Sequence, residues 1–503
     1  MQVKTQLDEL QDYLIDASNL QGGHAEKLFI PQTTEEIAEI IKEANETNTP
    51  VSISGARTGL VGGCIPFGGY LISLEKFNQI KEINENAAVA QAGVILADFQ
   101  KETEAKGLFY PPDPTEWSCQ LGGTVATNAS GSRSFKYGST RRYVERLEIV
   151  LPTGDVLTIK RGEIFSDSNG LIAITTDSGK TIHAKIPTYL QPNVRKNTSG
   201  YFSGEKVDAI DLFIGSEGTL GVITEIEFSL LPKPKGFLSG IIFFKEEKNL
   251  LEFVAEARKI SFETRQNEGQ KSKVESLKSL DATLLEYFDE EALKFIKEKF
   301  PQTPDNMAGA IFFEQETTDE TEDSLFLEWN DLLEKHNAEI DFSWFTTTEE
   351  DRQKMRDFRH ALPVSVNEWI VKHKQRKVST DIAVPDENFA SMLRFYKKSL
   401  QDWGLNYVIF GHIGDNHLHV NILPKDAEEA EKAKHLYGRF IAQGIMLGGT
   451  ISAEHGIGKV KSKYLYVMYG ERYLNEMAEL KRVFDPKGIL GRNNIFDAGF
   501  LVV

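Results

Sequence analysis

Three histidines fall within eight positions of "GHIGDNHLHVNI", residues 411–422, in a chain that has only 10. The preceding "YVIF" reads as a strand, and Gly414, Asp415 and Asn416 make a turn. His417 and His419 then alternate, so both point to one face, and His412 lies across the turn where it can meet them. Imidazoles meeting in this way hold zinc or another borderline divalent cation once a further ligand arrives from elsewhere. The plainer alternative is a hairpin whose histidines are hydrogen-bonded structural residues. A second stretch, "GGTISAEHGIGK" (448–459), sets Glu454 beside His455 in a glycine-flanked loop.

Cations able to grip a carboxylate occur in two places. "MRDFRHALP" contains Arg359, whose guanidinium can hold a carboxylate with two prongs. "KHKQRKVSTDIAVP" contains Lys377, two residues before Ser379 and on the same strand face. For this basic cluster, a solvated strand entry is the competing reading.

Three loops of small residues suit a long, flat, polar ligand. In "SISGARTGLVGG" (52–63), glycines after a strand let backbone N–H groups converge on an anion such as a phosphate. It has neither the GK[ST] of a P-loop nor the GxGxxG spacing and following helix of a dinucleotide loop. Residues 110–157 are dense in Gly, Ser, Thr, Asn and Ala. "DLFIGSEGTLGVITEIEFSLLPKP" (211–234) again sets glycines before a β-rich run.

The elements that must position these groups follow two regimes. "TTEEIAEIIKEANET" (33–47) repeats Ile37, Ile40, Ile41 and Ala44 on one helical face, with Thr34 as the expected cap. "PVSIS" (50–54) is a short strand leading into the first glycine loop, and further strand signals run from 70 to 160. After "LLPKPKG" (230–236), strand and helix patterns alternate as β-α-β units, expected as one sheet with helices on one face. The charged segment 262–306 reads as a helical insertion.

Composition narrows the function classes. A chain of 503 residues exceeds one compact core, so two or three domains are expected. The net charge of −18 argues against nucleic acid and anionic membrane as partners. It also means that a small anionic substrate needs a local cationic pocket. The two cysteines, Cys64 and Cys119, lie outside any metal or redox spacing and suit a reducing cytoplasm. No apolar run reaches the roughly 18 residues a membrane helix needs, and the polar N-terminus lacks a secretory core, leaving at most peripheral membrane contact.

In order along the chain, "DAS", the 52–63 loop, "PPDP", "LGGTVATNASGSRSFKYGSTR", "GSEGTLGVIT", "GHIGDNHLHVNI" and "GGTISAEHGIG" resemble the vanillyl-alcohol-oxidase (PCMH-type) flavoproteins. The similarity is to the branch that oxidises D-2-hydroxy acids: D-lactate dehydrogenase, D-2-hydroxyglutarate dehydrogenase and the glycolate oxidase D-subunit. It runs from about Tyr13 to about Phe496. The resemblance implies an α+β fold. A PCMH-type, two-subdomain FAD-binding domain spans 1–232, a ferredoxin-like substrate cap 233–447, and a C-terminal helical segment 448–503 that returns to the flavin.

The resemblance also assigns residues. Ser54, Gly55, Ala56, Arg57, Thr58, Gly59 and Leu60 would hold the FAD pyrophosphate. Pro112, Asp113, Gly122, Gly123, Thr124, Asn128, Gly131 and Ser132 would line the adenine, ribose and flavin path. Glu217, Gly218, Gly221, Val222 and Ile223 would close the far side. A divalent metal, zinc or else manganese or iron, would sit on His412, His419 and Glu454. His455 would be the general base, Arg359 the carboxylate grip, and Lys377 a further substrate contact. An electron acceptor is also implied: a quinone, a cytochrome, an electron-transfer flavoprotein or oxygen.

The chain departs from the family at four places. Arg57 replaces a glycine. Relatives with covalent flavin carry a histidine in this loop, but Thr58 stands near that place, so dissociable FAD is expected. Asn416 and His417 replace glycine and asparagine, giving His417 the role of an extra ligand or a substrate contact. Near the C-terminus, Gly491 to Asn494 replace asparagine-proline-glycine-lysine, leaving Asn493 or Asn494 to meet the flavin. The expected activity is FAD-dependent oxidation of a small D-2-hydroxy acid to the 2-oxo acid. The alternatives are a flavin oxidase of another alcohol or sugar, or a metal-dependent hydrolase.

Overall fold

The computed structural model describes residues 1–267 and 279–502. Part of the expected helical insertion, 268–278, lies outside the described residues.

The first region pairs two sheets around the glycine loops. Lys27–Ile30, Tyr70–Ser73 and Val51–Ser54 run parallel, with Gln2–Lys4 antiparallel at the edge. The helix Thr34–Thr47 crosses between Lys27–Ile30 and Val51–Ser54 and buries Ile37, Ile40, Ile41 and Ala44 as its periodicity requires. Its cap is Thr33 rather than Thr34: the Thr33 hydroxyl accepts from the Glu36 N–H, so the helix starts at Thr34, one residue earlier than expected. A five-stranded antiparallel sheet follows in the order Ile80–Ile83, Ala87–Gln91, Val222–Ser229, Val144–Val150, Val156–Lys160. Its central strand, Val222–Ser229, is laid down directly after the third glycine loop.

The chain then enters an eight-stranded antiparallel sheet. Along it lie Trp344–Thr346, Gly236–Phe244, Gly309–Thr317, Ala282–Asp289, Tyr407–Gly411, His417–Ile422 and Val378–Ser379, with Ile382–Ala383 also pairing to His417–Ile422. Two sequence expectations change here. Ala282–Asp289 is a fully buried central strand and not part of a helical insertion, since its apolar run is hidden on both faces. Helices also cover both faces of the sheet. Ile241 and Phe243 pack with Met355 and Phe358 of the helix Glu349–His373, while Ile242 and Phe244 face Phe253 and Trp329. Alternation along one strand requires partners on both sides.

The C-terminal segment returns to the first region. After the helix Ser462–Phe484, the chain runs beside Val51–Ser54, bonding Val51 N–H to the Ile489 carbonyl at 2.8 Å and Gly491 N–H to the Val51 carbonyl at 2.9 Å. No helix among the described residues is long and apolar enough to cross a membrane.

Candidate active site

One long cavity runs from the glycine loops to the histidines. Its first wall is backbone: Gly55, Ala56, Arg57, Thr58, Gly59 and Leu60, then Gly122, Gly123 and Thr124, then Glu217, Gly218, Gly221, Val222 and Ile223. A Cβ added at Gly59 or Gly123 would meet no atom within 4 Å, so these glycines border open space. Gln120 also lines the cavity, and its buried Oε1 has no hydrogen-bond partner among the described residues. Open glycine faces and an unspent acceptor along a long cavity fit a dinucleotide-sized polar ligand.

The far end is built from side chains. His412 closes the strand Tyr407–Gly411, and His417 and His419 lie on His417–Ile422. Glu454 meets all three. Its Oε1 lies 3.3 Å from His412 Nε2 and 3.9 Å from His417 Nδ1, and its Oε2 lies 3.9 Å from His419 Nε2. One ligand atom from each of the four residues lies within 4.8 Å of the others. Three imidazoles and a carboxylate at this spacing fit a divalent cation. The ring nitrogens turned away are also engaged. His412 Nδ1 bonds Glu286 Oε1 at 2.5 Å, and His419 Nδ1 meets the Thr380 carbonyl at 3.3 Å.

The loop carrying Glu454 and His455 is fixed by Asp381, which is fully buried. Its carboxylate accepts from the backbone N–H of Glu454 (3.1 Å) and of His455 (3.0 Å), from Ser452 Oγ and from Lys461 Nζ. His455 Nδ1 lies 3.4 Å from Asp381 Oδ2, and the His455 ring stacks on His419 with centroids 5.5 Å apart. Glu217 holds the other end of the loop, accepting from Ile457 and Gly458 N–H at 2.7 and 2.6 Å. Gly458 has φ +50°, and an added Cβ would lie 2.2 Å from the Val61 carbonyl, so only glycine fits there.

Burial and neighbouring charges set the protonation states. Burial pushes Glu286 up, but His412 and Arg359 hold it at about 2. Burial lowers His412, yet Glu286 and Glu454 raise it to about 9. Burial lowers His455 to about 4 against the pull of Asp381, which leaves a neutral imidazole at pH 7. Glu217 is raised by burial to about 7 despite its two backbone donors.

Two matches decide the family. Residues 25–160 match the FAD binding domain and 268–495 match the FAD linked oxidases, C-terminal domain. The chain is 31% identical to a D-lactate dehydrogenase of Anaerostipes hadrus, covering 97% of this chain and 93% of the relative. The chain belongs to the FAD-linked oxidases. It is also 29% identical to glycolate oxidase subunit GlcD of Bacillus subtilis (96% and 92% covered) and 26% identical to a D-2-hydroxyglutarate dehydrogenase of Stutzerimonas stutzeri (99% and 96%). Among solved structures, p-cresol methylhydroxylase with substrate bound shares the fold at TM-score 0.70 and 15% identity, covering 99% of this chain and 94% of that one. The expected PCMH-type α+β fold is therefore present, in an FAD-linked oxidoreductase.

Of the residues expected to hold FAD, six stand outside the cavity wall, each with another role. Ser54 is buried at its strand end, and the Pro112 carbonyl accepts from Gln100. Asp113 accepts from Trp117 Nε1 and, with Ser132, borders a small neighbouring cavity. Asn128 turns the chain at φ +49° and accepts from Arg141 N–H, and Gly131 packs its backbone against Asp113. Arg57 sits at φ +62°, where a glycine would be unstrained, and its guanidinium lies 4.7 Å above the Tyr13 ring. Of the two C-terminal asparagines, Asn494 lines the cavity, bonding Gly63 and Glu217 carbonyls and accepting from Lys459. Asn493 caps Ala498 N–H instead.

Arg359, Lys377, His419, Glu454 and His455 all border the cavity, while His412 and His417 are buried behind it. Arg359 Nε is spent on Glu286 at 2.8 Å, whereas Nη1 and Nη2 have no protein hydrogen bond among the described residues. Three contributors escaped sequence reasoning. Glu286 lies in the buried strand Ala282–Asp289, inside a segment whose charge hid it, and Asp381 lies between the strands Val378–Ser379 and Ile382–Ala383 with no motif around it. Lys196, which donates to Glu454 Oε1 at 2.5 Å and to the Gly131 carbonyl, gave no signal.

Proposed function

We propose that the enzyme oxidises a small D-2-hydroxy acid to its 2-oxo acid, using dissociable FAD and a divalent cation. The observation that carries this reading is the shared cavity: the free Nη edge of Arg359, the neutral ring of His455 and the glycine-lined wall border one space. The Nη1 and Nη2 donors of Arg359 grip the substrate carboxylate and fix C2, with Glu286 holding the guanidinium in place through Nε. His455 takes the hydroxyl proton, its ring steered by Asp381 at Nδ1 and by stacking on His419. His412, His419 and Glu454 hold the cation. Bound along the glycine loops, FAD would supply a two-electron acceptor for the C2 hydride, and a cation on these three residues would supply a charge that lowers the hydroxyl pKa.

The pyrophosphate loop offers no histidine for a covalent link, which supports a dissociable cofactor. The two free cysteines fit a reducing cytoplasm. A hydrolase that used the histidines alone would leave the glycine-lined cavity without a task. The reading is tested by assaying D-lactate, D-2-hydroxyglutarate, glycolate and L-lactate with an artificial electron acceptor while measuring the 2-oxo acid. Turnover of a D-acid, abolished by chelator and restored by metal, is expected. Turnover of only aryl alcohols or sugars would reject it.

A further inference from the structure

His417 differs from the other histidines of the cluster in being sealed completely from solvent. Its Nε2 lies 3.0 Å from Asp381 Oδ1 and its Nδ1 faces Glu454 Oε1 at 3.9 Å, and among the described residues neither nitrogen has a hydrogen-bond partner of good geometry. A fully buried ring nitrogen without a partner is costly unless something occupies the space before it. The arrangement resembles that of its neighbours: one nitrogen lies against a carboxylate or carbonyl, and the other faces Glu454. That is how proteins orient imidazoles toward a cation. The turn before it is built to deliver this ring. Asn416 adopts φ +53°, accepts from Arg258 and donates to Asp386, fixing the backbone from which His417 departs.

We infer that His417 is a fourth protein ligand, so that three imidazoles and Glu454 hold the cation. This rests on the cation reading proposed above and adds a consequence for metal choice. A 2-hydroxy carboxylate chelates through two oxygens. Four protein donors plus two substrate oxygens make six, a number that Mn²⁺ or Fe²⁺ accepts. Tetrahedral Zn²⁺ with four protein ligands is a closed site with no position left for substrate.

The test uses FAD-loaded protein stripped by chelator, as wild type and as His417→Asn, titrated calorimetrically with Mn²⁺ and with Zn²⁺. Wild type is expected to bind one Mn²⁺, and His417→Asn to bind it at least ~10-fold more weakly with an unchanged flavin spectrum. X-ray absorption on Mn²⁺-loaded wild type is expected to count three imidazoles, which decides the matter even if the variant misfolds. Zn²⁺-loaded wild type should bind metal tightly and turn over no substrate. Equal Mn²⁺ affinity in the two proteins, two imidazoles, or full activity with zinc would each overturn the inference. A wild type that binds no cation would instead overturn the cation reading beneath it.

Discussion

The two ends of the cavity are made of different materials. The flavin end is backbone, with glycines, amides and carbonyls contributed by loops that each follow or precede a strand. The histidine end is side chain, a buried lattice of charges in which Glu286, Asp381, Lys196 and Glu454 each hold another group in place. A backbone site needs small residues at fixed places and tolerates much else. A charge lattice needs every partner, because a buried charge left alone costs several kcal/mol. The two ends should therefore fail independently, one in cofactor content and the other in turnover.

The largest separation is expected from His455→Ala, which should lower kcat by ~10²–10⁴-fold while leaving FAD content unchanged. Stopped-flow flavin reduction together with absorbance at saturation checks both halves. Arg359→Lys comes next. It removes the two-pronged grip and the Glu286 bond, so kcat/KM should fall roughly 10–100-fold, mostly through KM, again with full flavin. Gly123→Val should do the reverse. A side chain placed in the cavity should weaken FAD binding by roughly 5–100-fold, judged by flavin fluorescence, while the metal content of the protein stays constant.

Glu217 ties the two ends together, and its pH dependence sharpens the contrast. Its folded pKa of about 7 lies above the unfolded value, so its stabilising contribution is full below about 4.5 and is lost as pH rises through 7. The Tm of Glu217→Gln relative to wild type should accordingly shift in favour of the variant between pH 5 and pH 8, measured on apo-protein. A constant gap would contradict the assignment. The smallest effect belongs to Arg57→Gly. Removing a left-handed arginine relieves strain of about 1 kcal/mol and loses a stacking contact of similar size, so both Tm and FAD affinity should barely move.

The same difference in material governs what could be read from the sequence. Glycine loops are contiguous, so Gly55–Leu60, Gly122–Thr124 and the stretches Glu217–Gly218 and Gly221–Ile223 were identifiable from short motifs, and these line the cavity. The histidine hairpin was legible for the same reason. The lattice behind it was not, because its members sit 126 residues apart (Glu286 and His412) or 258 apart (Lys196 and Glu454) and meet only through the tertiary fold. Charge density in 262–306 concealed the apolar strand Ala282–Asp289 and, with it, Glu286. Residues such as Asn128 and Gly131 belong to a cofactor motif yet serve its backbone turns, a distinction that spacing alone does not carry.

The central claim is that both ends of the cavity act on one substrate. It is met most directly by anaerobic titration of the yellow protein, following flavin absorbance as D-lactate, D-2-hydroxyglutarate, glycolate or L-lactate is added in separate cuvettes. Stoichiometric bleaching by a D-acid, with L-lactate inert, is the predicted result. A flavin that no 2-hydroxy acid bleaches, in protein replete with cation, would contradict it.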